Sequence, residues 1–222
     1  MYPYLPPHRS GLLHKGHIIK VTGEGELEIP PDLASVKLGV IMEGKELIAA
    51  QQQNTVEMTK VINELRALGI PQDHLQTFDY RIESEYDYDQ GKQLFRGYKI
   101  THLLEVKIEE LSLIGKVVDT AVQNGANYVS NIQFTVKNKE SYYLKSMVLA
   151  LNQAIEKART IAATINATLI PTPSLVMENE STVQPFYHPT ESFAKISSTQ
   201  FEPGQIKVKA SISAEYHYQA NI

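Results

Sequence analysis

The sequence predicts an α+β fold, in which antiparallel-rich β-sheets are each covered on one side by helices. Long runs alternate apolar and polar residues with a period of two, which is typical of half-buried strands. Between these runs lie segments whose apolar residues recur every three or four positions, which indicates amphipathic helices. Short turns join neighbouring strands, so we expect hairpins and an element order of ββα-ββ-α-β-α-ββ.

The first strand is predicted by a run whose apolar members and two glycines share one face. Glycines on an inner face leave room for another element to approach closely, or they mark a bulge. The Pro30-Pro31-Asp32 segment ends this strand, and a second alternating run extends from Ala34 to Met42. The shared face of the first strand consists of Ile19, Val21, Gly23, Gly25, Leu27 and Ile29.

Apolar periodicity predicts three helices, over residues 45–68, 111–124 and 141–166. Gly69 and Gly125 supply the C-terminal stops of the first two helices. The third helix carries a seam of residues spaced alternately four and three apart, which we expect to pack on the protein's own sheet. Coiled-coil pairing is the alternative use of such a seam. The seam consists of Leu144, Val148, Leu151, Ile155, Ala158, Ala162 and Ile165.

A hairpin is predicted by two alternating runs, residues 78–89 and 94–109, on either side of a turn at Gln90-Gly91-Lys92. On the returning strand, every second residue from Tyr98 to Ile108 lies on one face, and His102 is among them. Further strands are predicted over residues 128–136, 175–177 and 206–218.

Two segments lie outside this alternating pattern. Residues 1–16 contain three prolines and predict a flexible N-terminal tail, so the domain proper should extend over 17–219, as one body or as two α+β subdomains. Residues 179–203 predict an irregular loop. Disordered tracts are usually poor in aromatic residues, so we expect part of this loop to dock on its own body or on a neighbour. Its aromatic residues are Phe186, Tyr187, Phe193 and Phe201.

Composition argues against several classes of function. The formal net charge is −4, whereas nucleic-acid binding usually depends on a basic surface, so we expect no nucleic-acid partner. The sequence contains no cysteine, which excludes a disulfide or a thiolate metal site within it. No apolar run approaches the length of a membrane span. The first 16 residues do not contain the apolar core (the h-region) of a signal peptide, so we expect a cytoplasmic location. The alternative is that an export signal was removed.

The sequence points to no catalytic, cofactor-binding or metal-binding residues, and we expect no cofactor. Carboxylates at alternate positions from Glu83 to Asp89 are interpreted as a solvated strand face rather than a calcium site.

Asn54 interrupts the apolar stripe of the first helix, and a buried amide needs partners, so we expect its side chain to form a hydrogen bond with the backbone of an adjacent strand or turn. Tyr86 and Tyr88, near the hairpin tip, are candidate subunit contacts. Further candidates are Phe186, Tyr187, Phe193 and Phe201.

Several of these features, in this order and spacing, resemble the SIMPL-domain (YggE-like) family from roughly His17 to Tyr218. The resemblance depends on the opening strand, on the first helix with its exit at Gly69-Ile70, and on Gly97-Tyr98. It also includes Gly125-Ala126-Asn127, the alanine-rich third helix and Pro203-Gly204 before the last strand. The family includes proteins linked to oxidative stress and exported bacterial antigens, and some of its members form ring-like homo-oligomers.

The resemblance and the absence of a reactive motif together lead to one functional hypothesis. We expect a non-enzymatic protein that self-assembles as a homo-oligomeric scaffold or acts in a stress response, with further copies of itself as its partner. The alternative is a small-molecule or peptide-binding module that uses a groove between the helix-covered sheets. An enzyme ranks third, because no spacing specifies a nucleophile, an acid–base pair or a metal.

Overall fold

The computed structural model of the chain describes residues 17–179 and 201–221. The predicted α+β class, with its antiparallel sheets, is confirmed. Contacts divide the described chain into two compact units. Unit 1 contains residues 17–27, 139–179 and 207–221, and unit 2 contains residues 28–138 and 201–206.

The helices and strands of the described residues follow the predicted order, with two additional short strands. Single turns of 3-10 helix lie at Gln72–His74 and Leu111–Leu113. The helices are α1 (Leu47–Ala67), α2 (Ile114–Gln123) and α3 (Lys139–Thr164). The strands are β1 (His17–Ile29), β2 (Leu33–Gly44), β3 (Leu75–Asp89), β4 (Lys92–Ile108), β5 (Tyr128–Val129), β6 (Gln133–Thr135), β7 (Ala167–Leu169), β8 (Leu175–Glu178) and β9 (Ile206–Ala220).

Unit 1 is a sheet with α3 packed on one face. The strand order is β1-β9-β7, and β8 also pairs with β9. Because β9 alternates buried and partly exposed residues along most of its length, one of its faces lies in the core beneath α3. The buried residues of this core are Ile19, Val21, Ala150, Ala154, Ala158, Ala162, Ile212, Ala214 and Tyr216.

The glycines of β1 allow the backbone of α3 to approach the sheet closely, as the sequence predicts. A Cβ on Gly23 would overlap the carbonyl oxygen of Ala150, and a Cβ on Gly25 would overlap that of Ser146. Any side chain at either position would therefore force the helix away from the strand. The facing positions of α3 are correspondingly small, since its buried residues are Ser146, Ala150, Ala154, Ala158 and Ala162.

The prediction that the whole seam of α3 faces inward is wrong in part. Ala158 and Ala162 are buried, and Leu151 and Ile155 pack at the edge of the core, but Leu144, Val148 and Ile165 are exposed. The physical reason is the close approach at Gly23 and Gly25. So short a distance leaves room for alanine and serine side chains only, and the larger apolar residues of the helix turn outward.

Unit 2 is a five-stranded sheet of order β3-β4-β2-β5, in which β6 also pairs with β2. Its core forms where α1 and α2 pack against alternate residues of β2 and β4. Met58, Val61 and Leu65 of α1 and Ile114, Val117 and Ala121 of α2 supply the helical side of this core. The predicted inward stripe of α1 is confirmed, because its buried residues are Ala50, Asn54, Met58, Val61 and Leu65.

The single strand predicted over 128–136 is instead two short strands, β5 and β6. Polar side chains bond to the backbone of β2 on either side of β5. The side-chain amide of Asn127 accepts a hydrogen bond from the backbone N–H of Ile41 and donates one to its carbonyl, both at 2.7 Å. The Ser130 hydroxyl accepts a bond from the backbone N–H of Lys37 at 3.0 Å. The Ser130 hydroxyl replaces a backbone acceptor in the gap between β5 and β6, where the pairing with β2 is broken, whereas Asn127 continues the contact with β2 beyond the start of β5.

Candidate functional site

The β3–β4 hairpin extends beyond the rest of the sheet of unit 2. Pairing of β2 with β4 ends where Gly44 faces Tyr98, whereas pairing of β3 with β4 continues until Asp89 faces Lys92. Residues 85–97, here called the distal ribbon, thus form two strands, and the described part of the chain places no third strand beside them. A two-stranded ribbon alone is at best marginally stable in water, so its side chains must provide additional contacts.

A tight turn closes the distal ribbon. Gln90 and Gly91 form the two-residue connection, with φ angles of +46° and +81°. Two successive residues with positive φ are characteristic of the turn whose twist matches that of the flanking strands. Glycine adopts this conformation without strain, which explains Gly91 at the second position.

Aromatic side chains form a connected row that begins at Tyr98, at the base of the distal ribbon, and continues along the ribbon. The rings of Tyr86 and Phe95 lie 5.7 Å apart, and those of Phe95 and Tyr98 lie 5.1 Å apart, both edge to face. These three residues are called the aromatic ladder below. Tyr86 is 44% exposed, Phe95 is 51% exposed, and Tyr88 next to the ladder is 76% exposed. Apolar exposure on this scale is typical of an interaction surface.

Sequence reasoning identified Tyr86 and Tyr88 but missed Phe95. A bulge at Arg96 shifts the register, so that Glu85 faces Gly97 while Tyr86 faces Phe95. Strict alternation would place residues 95 and 98 on opposite faces of β4, and the bulge brings their rings together. Bulges have no clear signature in a single sequence, although glycine at position 97 is a weak signal.

Charged side chains flank the ladder and are paired with one another. Arg96 forms ion pairs with Glu43 and, at 3.9 Å, with Asp87. The hydrogen bond with Glu43 raises the pKa of the Arg96 guanidinium. Arg81 lies 3.2 Å from Glu83 and 3.6 Å from Asp79. In the described ranges, no three His, Asp or Glu side chains converge in a way that could hold a metal ion.

β3 is also an edge strand of its sheet. One row of its backbone N–H and C=O groups therefore has no neighbouring strand within the described part of unit 2. Such an edge can accept a further strand from another chain. Exposed apolar residues, including Phe78, Tyr80 and Ile82, continue from the ladder along this strand.

Asn54 lies at the centre of the buried face of α1 and is 1% exposed. Its side-chain nitrogen donates a hydrogen bond of 3.0 Å to the carbonyl oxygen of Val40 in β2. This bond links the helix to the sheet at a position surrounded by Met58 and other apolar residues. Its side-chain oxygen has no hydrogen-bond partner among the described residues, and the structural role of Asn54 stays a prediction.

His102 is partly buried on the face of β4 that packs beneath α1. Its ring contacts the ring of Tyr80 edge to face, with centroids 5.1 Å apart, and the Tyr80 hydroxyl accepts a 3.0 Å hydrogen bond from Gln51. Within the described residues, His102 Nδ1 has no hydrogen-bond partner. Burial lowers the pKa of this imidazole, which favours the neutral ring.

A cavity of about 610 Å³ lies beside α2 within unit 2. Phe201 lines it and also packs against the core of this unit, so this aromatic residue docks on its own body. Most of the other lining side chains are polar, whereas small-molecule pockets are mainly apolar. The other predicted loop contacts, Phe186, Tyr187 and Phe193, lie outside the described residues.

Comparison with known proteins places this architecture among proteins of undefined function. The SIMPL family model, described as "Protein of unknown function (DUF541)", matches residues 19–216. The 26 kDa periplasmic immunogenic protein of Brucella melitensis is 32% identical over 149 residues, which are 65% of this chain and 60% of that protein. The uncharacterized protein YggE of Escherichia coli K12 is 25% identical over 150 residues, which are 68% of this chain and 61% of that protein. The chain thus spans about three-fifths of the length of these relatives.

The expected cytoplasmic location is wrong. It is contradicted by the Brucella relatives, which are named periplasmic proteins. The expectation relied on the missing h-region near residue 1, and such an absence does not determine the compartment. Among the helices of the described ranges, none is both long and apolar enough to cross a membrane.

Proposed function

Because the chain belongs to the SIMPL family, whose function is undefined, we propose a function from its exposed surfaces: it is a non-enzymatic protein that assembles with copies of itself through the distal ribbon. The observation that carries the proposal is the aromatic ladder on a two-stranded ribbon. The described residues of unit 2 leave most of this ladder open to solvent.

The chemistry of the ladder suits a contact between proteins. Tyrosine and phenylalanine supply large apolar surfaces, and aromatic residues are enriched at protein interfaces. Covering Tyr86 and Phe95 would remove apolar surface from water and would brace a ribbon that is marginally stable alone. The adjacent tyrosine hydroxyls, including that of Tyr88, keep this surface compatible with water before assembly.

The open edge of β3 offers a second component of the same contact. A strand from another copy would form backbone hydrogen bonds along this edge, and the ladder would give side-chain contacts beside them. The paired charges of Arg81 and Arg96 would remain at the rim, where ion pairs determine orientation more than affinity.

We also propose that the protein is exported, since two relatives are named periplasmic immunogenic proteins. A stress-associated role is part of the proposal as well. This sequence contains no cysteine, so such a role would not use thiol chemistry of these residues.

The ligand-binding alternative is supported by the cavity beside α2. Its volume suits a small ligand, but its polar lining would offer little apolar contact. The cavity therefore supports binding less strongly than the aromatic ladder supports assembly.

Light scattering coupled to size-exclusion chromatography tests the proposal. We expect the intact chain to elute at a multiple of its 24.9 kDa mass, and the double variant Tyr86→Ser, Tyr88→Ser to elute at a lower multiple. Tyr128→Ser is the matched control, because Tyr128 is an exposed tyrosine of the same sheet outside the hairpin. A monomeric parent, or a double variant with unchanged mass and unchanged circular dichroism, would refute assembly through the ribbon.

A further inference from the structure

The outer side of α3 presents an apolar stripe that the described residues of unit 1 do not cover. The inner side of this helix lies against the β1 glycines, which turns Leu144 and Val148 towards solvent at 52% and 56% exposure. Leu151 and Ile155 continue the same line and are half-buried at the edge of the core. These four residues are called the α3 stripe. A helical face of this kind is typical of a surface that packs against another helix.

The spacing of the stripe is the same in both directions. Its members are separated by four, three and four residues, so the pattern is symmetric about the point between residues 149 and 150. If a second α3 packs in the antiparallel direction about this point, Leu144 meets Ile155 of the second copy and Val148 meets its Leu151. A two-fold axis repeats both contacts, as an isologous interface requires.

Charges beyond the two ends of the stripe obey the same symmetry. Glu140 lies four residues before Leu144, and Arg159 lies four residues after Ile155. In the antiparallel arrangement, Glu140 of each copy faces Arg159 of the other, which gives two attractive pairs. A parallel arrangement would place like charges opposite each other. Arg159 also lies 2.7 Å from Glu156 of its own helix, and its side chain is more than half exposed and accessible to a partner.

From this complementarity we propose that α3 is a second self-association surface, on which a further copy of this chain packs its own α3 antiparallel about a two-fold axis. The proposal goes beyond assembly through the distal ribbon, since it concerns another unit and other residues. Four apolar side chains per copy bury less area than a stable interface requires. The distal ribbon holds the copies together and so raises the effective concentration of one α3 stripe near another. The helix contact then strengthens this assembly.

Two different self-contacting surfaces on one chain allow assemblies larger than a dimer. The ribbon would join copies through unit 2, and the α3 stripe would join them through unit 1. Loss of the α3 stripe should then reduce the assembly to a smaller species, whereas loss of the ribbon should also weaken the helix contact, which is too small to hold the copies together alone.

Cysteine cross-linking of the full chain tests the register directly, because the sequence has no cysteine of its own. We expect Leu144→Cys mixed with Ile155→Cys, under mild oxidation, to give a disulfide-linked pair that shifts to twice the chain mass on a non-reducing gel. Leu144→Cys alone should not cross-link, since the two copies of position 144 would lie roughly 16 Å apart along the helices, beyond disulfide reach. Val148→Cys mixed with Leu151→Cys tests the same register at positions nearer the axis.

Leu149→Cys mixed with Ile155→Cys is the control, because Leu149 is exposed on α3 but lies about 100° around the helix from Val148. No cross-link in either stripe pair, or equal cross-linking in the control, would overturn the proposal. If neither stripe pair cross-links while the parent protein still elutes at a multiple of the chain mass, assembly through the ribbon stands and the helix contact is refuted. If the cross-link forms while Tyr86→Ser, Tyr88→Ser leaves the mass unchanged, the helix contact stands and the ribbon proposal is refuted.

Discussion

The carbonyl oxygen of Ser146 occupies the space that a side chain on Gly25 would need. The same relationship recurs one helical turn later, between Ala150 and Gly23. Two glycines at alternate positions of one strand thus determine how closely α3 lies on its sheet, and through that distance they determine which helix residues are buried.

Substituting Gly25 with alanine should destabilise unit 1. The new Cβ would meet the backbone of Ser146 and Ala150, which cannot yield as a flexible side chain can. Overpacking of this kind costs about 1–3 kcal/mol of unfolding free energy. Urea denaturation followed by circular dichroism measures it, with Glu24→Ala on the exposed face of the same strand as the control. Equal stability of the two variants would contradict the close approach.

Substituting Ser146 with alanine tests the polar part of the same contact. Its buried hydroxyl lies 3.0 Å from the carbonyl oxygen of Val208 and 3.1 Å from that of Tyr142, and it can donate to either. We expect a loss of roughly 0.5–1.5 kcal/mol of unfolding free energy. The control is Thr160→Ala, which removes an exposed hydroxyl bonded only within α3 among the described residues. The prediction fails if Thr160→Ala proves as damaging as Ser146→Ala.

Replacing Asn54 with leucine should lower stability although it adds an apolar side chain to an apolar face. The change removes the donor to the Val40 carbonyl and leaves that buried acceptor without its side-chain partner. We expect a loss of about 1–3 kcal/mol in the free energy of unfolding. Thermal melting of Asn54→Leu beside Gln53→Leu, an exposed neighbour on α1, measures the difference. An unchanged melting temperature for Asn54→Leu would rule out its structural role.

Stability should fall as the pH drops through the range in which histidine titrates. Burial lowers the pKa of His102 in the folded state, so the unfolded chain takes up the proton first. The loss should therefore begin near pH 6.5 and end below the folded-state pKa. Glu26 and Glu109 also have lowered pKa values, owing to lysine partners, but carboxylates titrate at lower pH.

Urea denaturation of the parent at pH 7.5 and pH 5.5 measures this effect. We expect His102→Leu to weaken the pH dependence, whereas His17→Asn, which changes an exposed histidine, should retain it. A pH dependence that is identical in the parent and in His102→Leu would show that another group is responsible.

The regular elements could be predicted from sequence because their burial follows a simple period. Every second residue of β9 from Ile206 to Tyr216 is buried, and the buried residues of α1 recur at three and four positions. The glycines of β1 were informative for the same reason, since they interrupt an apolar face on which some element must pack.

The remaining features depend on contacts between distant residues, which a period cannot reveal. The large residues of the α3 seam were expected inside, yet the β1 glycines, more than a hundred positions earlier, select the alanines instead. Likewise, the bulge at Arg96 brings Phe95 to Tyr86, and the Ser130 hydroxyl replaces a backbone acceptor for Lys37 between β5 and β6. Each of these features depends on the position of a backbone segment that is distant in the sequence.

The nesting of the two units in the chain has a consequence for biosynthesis. β1 ends at Ile29, but its neighbour β9 begins only at Ile206. A ribosome adds ~5–20 residues per second, so the first strand waits roughly ten seconds or more for the strand beside it. During that delay the sheet of the inserted unit, finished by Thr135, can already close. The strand made first must therefore stay soluble as a nascent segment, and its glutamates at every second position from 24 to 28 supply the charge that keeps it so.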